Sequence, residues 1–148
     1  MKAQADEFIE NMVISMQPAA TSNVIQESLH RIVQCRDLLK LLSSKRNQDG
    51  VCHLSLKVLS NFMDLSTEDV SRTIRKLAHF GLIKSNRAQN EFEILKQHFE
   101  SSPLAITESL LKLLQENPEL TFQEQAARLD ISVKDLEVVY GHFVYVLT

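Results

Sequence analysis

Between Ser66 and Phe80 the chain reads "STEDVSRTIRKLAHF". Glu68 and Arg72 stand four apart, so on a helix they share a face and can pair there. Ser71, Arg72, Arg75 and Lys76 give that segment donors and cations suited to phosphate oxygens. Two acids in the first turn, Glu68 and Asp69, also suit the positive end of a helix dipole, which requires no ligand.

Other reactive types are scattered. His30, Cys35, Cys52, His53, His79, His98 and His142 show no C-x2-C or H-x3-H spacing, so no metal site is assigned and no cofactor is expected. No G-x-x-x-x-G-K-[ST] or G-x-S-x-G motif is present, and no nucleophile stands at a credible spacing from a base. An enzyme is therefore not expected. Cys35 and Cys52 lie in unrelated contexts, one in a helical pattern and one in a strand-like run, which reads as two reduced thiols.

The chain has 148 residues, 44% hydrophobic, with 3 Gly, 3 Pro and no Trp. Such a composition points to a mostly α protein with one or two small cores. "MKAQADEFIENMV" lacks the pattern of a secretory signal, and no apolar run reaches the ~20 residues of a membrane span, so a cytoplasmic protein without a membrane partner is expected. The net charge of −3 is unevenly spread. Residues 53 to 95 carry six basic residues against five acidic, whereas residues 101 to 148 carry three against seven. Only the middle can present a positive surface.

Apolar spacing predicts a first amphipathic helix within residues 6 to 16, closed by Pro18, and a long helix from Val24 to about Lys45 with Ser22 or Asn23 as its cap. "VCHL" reads as a short strand, and Ser55 caps the helix "LKVLSNFM". "DLS" then turns the chain into a helix after Ser66. Val58, Leu59 and Phe62 are expected to face inward on the first of these two helices, Leu65 to plug the turn, and Val70, Ile74 and Leu77 to line the second. Gly81 stops it, and "LIKSNRAQNEFEIL" reads as two short strands around a hairpin carrying Lys84 and Arg87. This order is that of a winged helix-turn-helix.

From "HLSLKVLSNFMDLSTEDVSRTIRKLAHFGLIKS" through "NEFEIL", residues 24 to 95 resemble the C-terminal DNA-binding domain of the cyclic-AMP receptor and fumarate-nitrate regulator family. The resemblance implies that Glu68 accepts a hydrogen bond from cytosine N4 while Arg72 donates in a fork to guanine O6 and N7. Thr67 stands where that family often has Arg, which withdraws one contact. The family's sensor is not expected either. Only about 23 residues precede the long helix, too few for a cyclic-nucleotide pocket, and two cysteines do not make an iron-sulfur site.

At an offset of 66, "ELTFQEQAARLDISVKDLEVVY" lies over "HLSLKVLSNFMDLSTEDVSRTI", matching Ser55 with Thr121, Asp64 with Asp130, Leu65 with Ile131, Ser66 with Ser132 and Val70 with Leu136. A second helix-turn-helix-like helical unit is expected there, led by "AITESLLKLLQEN". Opposite Glu68, Arg72, Arg75 and Lys76 stand Lys134, Val138, Gly141 and His142, so its last helix is not basic. Tyr140, Phe143, Val144 and Leu147 are the expected homodimer interface, and packing within the chain is the other reading.

The expected organisation is an N-terminal helix and linker over 1–23, a winged-helix DNA-binding domain over 24–100, and a dimerising unit over 101–148. The expected function is sequence-specific binding of double-stranded DNA by a transcriptional regulator, through Thr67, Glu68, Ser71, Arg72, Arg75, Lys76, Lys84 and Arg87. The other reading is a winged-helix protein-protein interaction module of a replication, partition or transcription complex. No residue nominates a small-molecule ligand.

Overall fold

The computed structural model describes residues 18–147, so the helix predicted within residues 6 to 16 lies outside the described part. Helix α1 spans Pro18–Ser44. It begins at Pro18, six residues before the predicted Val24. At a helix's first position the missing N–H has no intrahelical partner to lose, and the fixed φ is already helical. Its buried stripe, Ile25, Ser28, Ile32, Cys35, Leu38, Leu39 and Leu42, keeps the spacing of three and four.

Strand β1 (Val51–His53) follows, then α2 (Leu56–Met63), α3 (Thr67–His79), β2 (Ile83–Asn86) and β3 (Glu91–Ile94). A short 3-10 turn, Arg87–Gln89, joins β2 to β3, and another, Phe99–Ser101, precedes α4 (Pro103–Glu116). Helices α5 (Phe122–Leu129) and α6 (Val133–Leu147) complete the described chain. The protein is mostly α with one small antiparallel sheet, of order β1-β3-β2.

Register sorts that sheet into two faces. Cys52 lies opposite Phe92 and Ser85 opposite Phe92, so these three share the inner face, with Ile83 opposite Ile94. Val51 and Lys84 flank Glu93, and His53 and Asn86 flank Glu91, on the outer face. Period-two alternation makes the inner face apolar and the outer one charged.

Two compact units divide the chain, one of Arg31–Leu104 and one of residues up to His30 with residues from Ala105 on. The divisions fall inside α1 and in the first turn of α4. In the Arg31–Leu104 unit, Leu59, Val70, Ile74, Leu77, Leu82, Ile83 and Phe92 are buried with the second half of α1. Each such side chain contributes about 1.5–3 kcal/mol by leaving water.

Phe62 corrects the expected inward stripe of α2. It is 56% exposed, and the Lys45 ammonium lies 5.3 Å from its ring centroid. In the other unit Leu110, Ala126, Leu136, Val139 and Tyr140 form a buried cluster, with Ile106, Leu114, Phe122, Leu129 and Ile131 packed against it.

Candidate functional site

The turn between α2 and α3 is fixed by local chemistry. Ser55 caps α2 by accepting the Val58 N–H at 3.2 Å. The helix ends at Asp64 in the left-handed region, φ 53 and ψ 45, with the Asp64 and Leu65 N–H groups donating to Ser60 O. The Ser60 hydroxyl donates to Leu65 O and closes the turn. Ser66 then caps α3 by accepting the Asp69 N–H at 3.0 Å. At the far end the Leu82 N–H reaches Leu77 O and the Gly81 N–H reaches Ala78 O, the pairing of a Schellman stop. Gly81 has φ 75, where a Cβ would be strained.

Inward, α3 buries Val70, Thr73, Ile74 and Leu77. The opposite line is Glu68, Arg72, Arg75 and His79, recurring at four, three and four, so these groups lie along the face away from the core. Arg72 sits between two carboxylates: Nη2 lies 3.6 Å from Glu68 Oε1, and Nη1 lies 3.4 Å from Asp69 Oδ1. The Glu68–Arg72 pair expected from spacing is present, and Asp69 is an additional partner. The Glu68 side chain is 83% exposed, so this pair is solvent-screened and adds little stability. Its consequence is positional, since it holds the guanidinium along the helix.

The other predicted contacts separate. Thr67 is exposed at the start of α3, Ser71 is half-buried and Arg75 is exposed. Lys76 is covered, at 4% exposure, against the expectation of a phosphate-facing side chain. Burial pushes its pKa down, and the cationic Arg31, Arg72 and Arg75 push the same way while Cys35 opposes them. Spacing alone did not reveal this, because a long aliphatic stem allows a lysine to be covered. Cys35 is fully buried beside it, and desolvation pushes that thiol up to about 12.

Lys84 is exposed on the outer sheet face, directly across from Glu93. With Val51, Asn86, Glu91 and Glu93 it lines a shallow depression of about 190 Å³. His53 Nδ1 lies 3.9 Å from Glu91 Oε1. This face is therefore not the positive surface that Lys84 suggested by itself. Arg87 opens the 3-10 turn between β2 and β3.

The α2–α3 turn recurs 66 residues later. Thr121 caps α5 in a reciprocal box, its hydroxyl accepting the Glu124 N–H and the Glu124 carboxylate accepting the Thr121 N–H, both at 3.2 Å. Asp130 ends that helix at φ 55 and ψ 46, the Ile131 N–H reaches Ala126 O, and Ser132 accepts the Asp135 N–H at 3.0 Å.

The four residues expected at a dimer seam do not lie on one free surface. Tyr140 is 1% exposed and Phe143 2%, both covered by their own chain, while Val144 and Leu147 are half-buried. The Tyr140 hydroxyl donates to Gln125 Oε1 at 2.6 Å, and Gln125 Nε2 donates to Leu120 O at 2.9 Å. Because α6 is apolar on much of its circumference, composition did not tell which side the core would take.

Among the described residues no group of three His, Cys, Asp or Glu side chains is placed to hold a metal, and no helix is long and apolar enough to cross a membrane. Comparison with protein-family models, with curated proteins and with solved structures finds no match.

Proposed function

We propose that the protein binds double-stranded DNA through a winged helix-turn-helix in which α2 braces and α3 reads the major groove, acting as a transcriptional regulator. The observation that carries this reading is the line Glu68, Arg72, Arg75 and His79 along the outward side of a helix whose other side is locked into the core. A groove-reading helix needs polar, forked side chains on a rigid support, and this one has them. Glu68 suits cytosine N4 and Arg72 suits guanine, in line with the resemblance to the cyclic-AMP receptor and fumarate-nitrate regulator family. Thr67, Ser71 and Arg75 supply flanking contacts, Arg87 and Lys84 lie toward the wing, and Lys76 is withdrawn from the interface by its burial. The chain order α1, β1, α2, α3, β2, β3 and the sheet order β1-β3-β2 fit this reading.

A second reading, a winged-helix module that binds another protein in a replication, partition or transcription complex, is favoured by one feature. Glu91 and Glu93 occupy the outer face of the central strand, where a phosphate-facing wing would carry cations. Selection of duplexes from a random pool separates the two. A DNA reader enriches a consensus containing a C·G or G·C pair that Arg72→Ala no longer prefers, and a protein module enriches none.

A further inference from the structure

Arg72 has two carboxylate partners on α3, and they are not equivalent. Glu68, four residues before it, stands on the outward line with Arg75 and His79, and its side chain is 83% exposed. Asp69, three residues before it, stands beside that line, and its side chain is 41% exposed. The Asp69 backbone is tied on both sides. Its N–H donates to Ser66 Oγ at 3.0 Å, and its carbonyl accepts the hydroxyl of the buried Thr73 at 2.8 Å. The Asp69 carboxylate thus hangs on a short stem from a fixed point, 3.4 Å from Arg72 Nη1. The Glu68 carboxylate sits on a longer stem with more rotamer freedom.

We infer that Asp69 is the positioning residue for Arg72, holding the guanidinium toward base edges and away from phosphates once Glu68 has turned to a base of its own. This assignment rests on the DNA-binding reading and adds to it the source of selectivity on α3. A Glu68 that reaches for cytosine N4 extends away from the helix, and its 3.6 Å contact with Arg72 loosens. Asp69 is too short to follow, so it stays on the helix surface. A guanidinium has several N–H donors, so Nη1 keeps Asp69 while the remaining donors form the fork on guanine. Without Asp69 the same side chain reaches phosphate oxygens, which every sequence offers. The aspartate also sets a negative charge beside the duplex, which weakens binding to any sequence. Asp69 therefore lowers affinity in general and raises selectivity at one base pair.

The test compares the whole protein with its Asp69→Asn variant on the selected consensus, on the same site with the base pair chosen by Arg72 exchanged, and on a random duplex. Asp69→Asn keeps the helix cap, because Ser66 bonds the backbone N–H and not the carboxylate. The variant is expected to bind the random duplex more tightly than the wild type does. It is expected to lose about two- to five-fold of its preference at the Arg72 pair, the range of an exposed ion pair. Preference at the pair read by Glu68 stays, and Asp69→Glu, which keeps the charge, retains the preference at the Arg72 pair. In an Arg72→Ala background, Asp69→Asn changes no preference. A merely stabilising acid in the first turn of α3 would instead change all the affinities alike, and that result overturns the inference. So does a preference that Asp69→Asn leaves at the wild-type value, or one that it alters in the absence of Arg72. A wild type that enriches no consensus removes the DNA-binding reading itself, and the inference with it.

Discussion

Asp64 and Asp130, 66 positions apart, hold the same left-handed backbone, φ 53 and ψ 45 in one and φ 55 and ψ 46 in the other. Each follows an eight-residue helix, and each is followed two residues later by a serine that caps the next helix. Aspartate is among the few residues besides glycine that visit this region readily. The pair therefore marks one turn built twice, once before an ionic helix and once before an apolar one.

Replacing either aspartate by a β-branched residue tests that equivalence. Asp64→Val and Asp130→Val are each expected to cost about 1–2 kcal/mol, because both place a branched Cβ in the left-handed region. Urea unfolding measures it. A cost at one position and none at the other would show that the two turns are not equivalent.

Arg72 and Lys76, four apart on α3, are expected to part company on DNA. Arg72→Ala costs about 1–3 kcal/mol on the selected site and relaxes one base-pair preference. Lys76→Met leaves the salt dependence of binding unchanged, since a covered ammonium displaces no counterion from phosphate. Titrations of both variants on selected and random duplexes decide it, and equal losses on both duplexes for Arg72→Ala would remove Arg72 from base reading.

Tyr140 gives an alkaline signature. Desolvation pushes its phenol up to about 12. The folded pKa is raised above the unfolded value near 10, so the unfolded chain loses its proton first as pH rises. This contribution to stability is complete below about pH 10 and is lost as pH rises through 10 to 12. Absorbance titration should show one of the two tyrosines ionising at about 12, and Tyr140→Phe should remove that step. The same change leaves the Gln125 carbonyl without its donor, at about 1–3 kcal/mol.

Leu59 and Phe62 divide the short helix α2 between core and solvent. Leu59→Ala should cost about 2–5 kcal/mol, as for a fully buried leucine. Phe62→Ser should stay within about 0.5 kcal/mol, as for surface positions. Thermal unfolding of the two proteins compares them directly.

What the sequence disclosed was what local chemistry controls. Ser55 and Ser66 cap because their hydroxyls reach an N–H three residues away, and Gly81 stops α3 because its own φ permits it. The Glu68–Arg72 pair followed from helix geometry alone. Direction within an apolar helix was different. Phe62 points out, and Tyr140 and Phe143 point in, because the neighbouring elements decide which part of a broad apolar surface is covered. The early start of α1 was missed because a proline that can end one segment also suits the first turn of the next. Lys76 was hidden for a related reason: charge type suggests exposure, but a long aliphatic stem can be covered.

Binding of the whole protein to a random-sequence duplex, measured across salt concentrations, tests DNA recognition most directly. With Arg72, Arg75, Lys84 and Arg87 as the proposed cations, two to four phosphate contacts give a log–log slope of about −2 to −4, at ~0.9 per phosphate. Arg75→Ala should make that slope shallower by about one. No binding at about 50 mM salt, or binding with no salt dependence, would contradict a helix that works on DNA and leave the protein-binding reading in its place.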